Sequence, residues 1–96
     1  MTFDSVAREL EALQGRSIYL HLRIPDGPGV FQMIDRVNEG GHWDGDPDHA
    51  FINFDETEGS VMFYRQDFVE AAWEANEYGR ALRIRIGVVD VLVAPQ

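Results

Sequence analysis

His42-Trp43-Asp44-Gly45-Asp46-Pro47-Asp48-His49 is the stretch whose residue types and spacing come nearest to doing chemistry. Aspartates at 44, 46 and 48 repeat the opening spacing of an EF-hand calcium loop, and Asp55 falls at its twelfth place. The sixth place, where a calcium loop needs glycine for a sharp turn, holds His49. A transition metal could use His42 and His49 with a carboxylate, but no third nitrogen or thiolate accompanies them. No metal and no cofactor are therefore expected. Trp43 offers another use, because an aromatic anchor ringed by carboxylates suits a basic protein surface. Trp43, Asp44, Asp46 and Asp48 are the candidate partner-binding residues, and Asn at 44, 46 and 48 should abolish capture. The competing use of Trp43 is to fold back onto the core.

Covalent catalysis has less to work with. Ser5, Ser17, Ser60, Thr2 and Thr57 lie in no nucleophile motif. There is no cysteine, which removes disulfides, zinc–thiolate sites and thiol catalysis. All eight basic residues are Arg, so lysine chemistry is absent as well. His21 alternates onto the polar side of a strand pattern, and Arg83 and Arg85 share a face suited to cross-strand ion pairs. No catalytic residue is expected, and the chain reads as a non-enzyme.

The 96 residues suffice for a single domain, 1–96, and 45% apolar content is too rich for disorder. Seventeen acids against eight bases leave a formal charge of −9, which argues against nucleic acid as a partner. Residues 35–58 hold eight of the acids and one base, Arg36, while the flanking thirds are nearly neutral. No apolar run approaches the length of a membrane span, and Met1-Thr2-Phe3-Asp4 does not read as a signal peptide. A cytoplasmic location without membrane contact is the expectation.

The elements that would position these residues follow from periodicity. Phe3, Val6, Leu10 and Leu13 make one helical stripe over residues 4–14, with Asp4 as cap and Gly15 at the C-terminal end. Residues 17–24 alternate as a half-buried strand. Val30, Phe31, Met33, Ile34 and Val37 match a helical template that Gly40-Gly41 would end. Residues 40–48 read as a polar loop, and residues 50–54 and 60–64 as a hairpin. Asp67 with Glu70 resembles a capping box opening a helix to Tyr78, closed by Gly79. Residues 81–94 read as one long strand bent at Gly87. The expected fold is α+β: an N-terminal helix, then a βαββαβ ferredoxin-like antiparallel sheet. If residues 30–38 form a strand instead, the alternative is a small SH3- or Sm-like β-barrel with an N-terminal helix.

Asp26-Gly27-Pro28-Gly29-Val30-Phe31, followed by Ile34, Val37 and Gly40-Gly41, resembles the signature of ACT domains. The resemblance implies a βαββαβ fold and side-by-side dimerisation of the sheets. It also implies a small ligand such as an amino acid, held by the turn. Asp26, Gly27, Pro28, Gly29 and Val30 are then the ligand-binding candidates, since glycine permits close backbone approach and a helix start favours carboxylates. Two functions are thus expected: a dimeric small-molecule-binding regulatory module, or an acidic inhibitor or immunity-type protein that captures a basic partner through residues 35–58.

Overall fold

A computed structural model describes residues 1–76 and 79–96. Helix α1 spans Phe3–Ala12 and seven strands follow: β1 Ser17–Arg23, β2 Gly29–Trp43, β3 Asp46–Phe54, β4 Ser60–Tyr64, β5 Phe68–Asn76, β6 Gly79–Ile86 and β7 Val89–Pro95. The stripe that predicts α1, Phe3, Val6, Leu10 and Leu13, is buried, and Ala7 is buried beside it. Its cap is Thr2 rather than Asp4, the Thr2 hydroxyl accepting from the Ser5 N–H at 3.1 Å. Gly15 has φ +81° just past the helix, and its N–H donates to the Val37 carbonyl, tying the helix end to β2.

All the strands join one antiparallel sheet in the order β4-β3-β2-β1-β7-β6-β5. The fifteen-residue β2 serves two partners. Its first half pairs β1 up to Arg36, and its second half pairs β3 from Val37 onward. The two halves of the sheet bury one core, in which Leu10, Ile18, Leu20, Val37, Ile52, Phe63, Leu82, Ile84 and Val93 are almost fully covered. Helix α1 lies against β2, with Gly40 at the closest approach. A Cβ there would stand 2.7 Å from the Leu10 carbonyl oxygen.

The ferredoxin-like α+β expectation is overturned, because neither internal helix forms. Residues 29–43 are strand. The apolar positions that suggested a helix do not share one buried face: Val30, Phe31 and Ile34 are exposed, while Val37 is buried beside a buried Asp35. Gly40-Gly41 ends nothing; it admits the helix backbone. Residues 68–76 are likewise strand. Glu70 and Glu74, a helical i,i+4 pair by sequence, instead flank Arg83 of β6 from one strand face, at 3.1 and 2.8 Å. The helix-forming Ala and Glu of this segment yield to sheet pairing with β6. Tyr78, the expected end of that helix, lies outside the described residues. The long last strand is two, folded at Gly87, which has φ +58°.

The alternative with residues 30–38 as a strand is nearer, since the fold is β-rich behind an N-terminal helix, but its closure into a barrel is not seen. Residues 30–38 are strand as it requires, but β4 and β5 stand at opposite ends of the order, and no pairing joins them among the described residues. Among the described residues the fold is a β-rich sheet with one α-helix and a short 3-10 turn at Arg65–Asp67. No helix among the described residues is long and apolar enough to cross a membrane.

Candidate functional site

The expected polar loop at 40–48 is a β-hairpin. Trp43 pairs with Asp46, and the turn runs through Asp44 and Gly45, the latter at φ +73°. Strand alternation on β2 puts Glu39, Gly41 and Trp43 on one side. On β3, Ala50, Ile52 and Phe54 belong to the core, so Phe51 points to the opposite face. Trp43 stands edge-on to Phe51, ring centres 5.4 Å apart at 74°. Met62 of β4 pairs with Phe51 and is exposed. Trp43 does not fold into the core; it is 47% exposed. Glu39, His42, Trp43, Asp44, Phe51 and Asn53 line an open cleft of about 370 Å³.

The acids of residues 35–58 divide sharply by role. Asp35 is buried and accepts from the N–H groups of Arg36 (2.7 Å), Glu56 (3.2 Å) and Thr57 (3.0 Å). The Thr57 N–H leads in holding its carboxyl below the usual range. Asp55 pairs with Arg36 at 3.4 Å. Asp46 is held by the Asp48 N–H and the His49 imidazole, which lower its pKa in that order. Asp48 accepts from Arg65 Nε at 2.9 Å. Arg65 also reaches Asp4 at 2.7 Å, which keeps that carboxyl ionised to lower pH. His42 approaches Asp4 at 3.2 Å. These contacts clasp the hairpin to the start of α1. Glu39, Asp44, Glu56 and Glu58 make no ion pair among the described residues.

The four sequence-derived partner residues therefore separate. Trp43 and Asp44 are open at the cleft, whereas Asp46 and Asp48 are engaged inside the clasp. Glu39, Phe51 and Met62 are not singled out by the sequence. Treating residues 39–43 as a strand is the signal that places Glu39 beside Trp43. A second opening, about 510 Å³, is bordered by Asp48, His49, Tyr64, Arg65 and Gln66. No group of three or more His, Asp or Glu side chains is placed to hold a metal ion among the described residues.

No family model, curated protein or solved structure matches the chain. None of these comparisons identifies an ACT domain, and the architecture that resemblance implies is not formed. Asp26 (φ +60°), Gly27, Pro28 and Gly29 make the turn from β1 into β2, closed by the Gly27 N–H to the Ile24 carbonyl at 2.9 Å. A strand rather than a helix begins there, so the helix start on which the expected carboxylate site relied is not formed. Gly29 lies under the His21 ring, where a Cβ would be 2.4 Å from Nε2, and Val30 is exposed. His21, Gly29, Val30, Phe31 and Gln32 border an opening of about 470 Å³. Arg83 and Arg85 form the cross-strand ion pairs expected of them, Arg83 with Glu70 and Glu74, Arg85 with buried Asp90 at 2.9 Å.

Proposed function

We propose that the protein is a binding module that captures a basic partner at the β2–β3 hairpin face. One observation carries this reading: half-exposed Trp43 over Phe51, flanked by two carboxylates, Glu39 and Asp44, that nothing in the described chain neutralises. An aromatic side chain with a fixed floor loses little conformational freedom on binding and supplies contact area. Uncompensated acids beside it attract Arg and Lys and speed encounter. Glu56 and Glu58, which make no ion pair among the described residues, extend the negative field.

A short poly-arginine peptide is the probe. In a Trp73→Phe background, Trp43 fluorescence should change on titration. Trp43→Ala should lower affinity at least about tenfold, and Glu39→Gln with Asp44→Asn should lower it and flatten its salt dependence. Asp46→Asn and Asp48→Asn should change stability more than capture. Equal binding by the Trp43 and Glu39/Asp44 variants would refute the reading.

A further inference from the structure

The first half of β2 is an edge left without the usual protection. Over residues 29–36 it pairs β1 on one side, and β3 joins β2 only from Val37 onward. Edge strands in stable proteins carry charges, bulges or little length, which discourage an added strand. β4 has only five residues. β5 carries Glu70 and Glu74 and is bulged after Phe68. Residues 29–34, Gly-Val-Phe-Gln-Met-Ile, carry no charge. Three large apolar side chains on that strand face solvent: Val30 at 59%, Phe31 at 49% and Ile34 at 62% exposure.

We propose that this edge joins two copies of the chain, the two β2 strands pairing antiparallel across a twofold axis at Gln32. The sequence is self-complementary about that residue. Val30 falls opposite Ile34 of the second copy and Phe31 opposite Met33, while Gln32, whose amide oxygen accepts from the Tyr19 hydroxyl, lies on the axis opposite Gln32 of the second copy. Such apolar cross-strand pairs are the unit that stabilises a sheet. Exposed Arg36 of one strand lies toward the end of the other that leads into Asp26, giving opposite charges at both ends. The twofold also sends the two acidic β2–β3 turns in opposite directions, so the −9 charge of each copy is kept apart where repulsion would be strongest. A basic partner would find no carboxylate on residues 29–34. This interface uses none of the hairpin residues assigned above to partner capture.

Sedimentation equilibrium of the full chain, from micromolar to millimolar concentration, tests the pairing. A reversible dimer is expected, with amide exchange across residues 29–34 slowed as concentration rises. Ile34→Glu should weaken it at least about tenfold. Val30→Lys alone should weaken it similarly. Mixing the two variants should restore association, because the ammonium introduced in one copy then faces the carboxylate introduced in the other. Both sites are exposed, so unchanged far-ultraviolet circular dichroism verifies the fold. A monomer at every concentration, a dimer indifferent to Ile34→Glu, failure of the mixed variants to associate, or slowed exchange on β4 or β5 instead would each overturn the proposal.

Discussion

Asp35 shows how far a residue's type can mislead about its role. By sequence it opens the acidic segment; in the fold it is a buried acceptor that fastens the β3–β4 turn through the N–H groups of Glu56 and Thr57 and also accepts from the Arg36 N–H beside it. Its pKa is lowered, as are those of Asp4, Asp46 and Asp90, the last chiefly by Arg85. A carboxyl that is more acidic in the folded state contributes stability that is fully present above its unfolded pKa, near 3.8. That contribution is lost as pH falls through the folded value. The urea midpoint should therefore be flat near neutrality and fall steeply below about pH 4. Asp35→Asn should lower the neutral plateau and make the acid limb shallower. A variant with the wild-type plateau would show that the turn holds without this carboxylate.

At the scale of elements, α1 and β2 meet through a missing side chain. Gly40→Ala would drive a Cβ to 2.7 Å from the Leu10 carbonyl oxygen, a backbone atom that cannot rotate away. Overpacking of this kind costs about 1–3 kcal/mol. For a domain of this size the melting temperature should drop by at least about 4 °C. Gly45→Ala meets no such wall, and its cost comes from the left-handed φ of +73° alone, about 1–2 kcal/mol. A Gly40→Ala variant that melts with the wild type would show that the helix backbone moves aside to admit the Cβ. The elements most legible in the sequence are those whose apolar residues are buried by the expected period. α1, β1 and β4 are of this kind. β2 escapes that reading because Val30, Phe31 and Ile34 are apolar yet exposed, so the pattern does not report a core face. β5 escapes it because Ala and Glu favour helix locally, and only pairing with β6 decides otherwise.

Across the whole molecule, both halves of the sheet bury side chains in one core. Phe63 of β4 is among the largest fully covered side chains, although its strand lies at the end of the sheet order. Phe63→Ala should destabilise by about 3–5 kcal/mol. Tryptophan fluorescence and circular dichroism should still report one coincident denaturant transition, since both halves lose the same core together. Two separated transitions would mean that the β2–β4 half folds independently. By itself, the sequence determined that the chain is acidic and carries an N-terminal helix. It determined that the negative charge concentrates in residues 35–58 and that Trp43 stands among it. Tertiary structure alone decided that residues 29–43 and 68–76 are strands, because strand and helix compete closely wherever apolar side chains are left exposed. It also decided which acids remain open, since Asp48 and Asp55 meet arginines and Asp46 is held by the Asp48 N–H and the His49 ring, whereas Glu39 and Asp44 make no ion pair among the described residues.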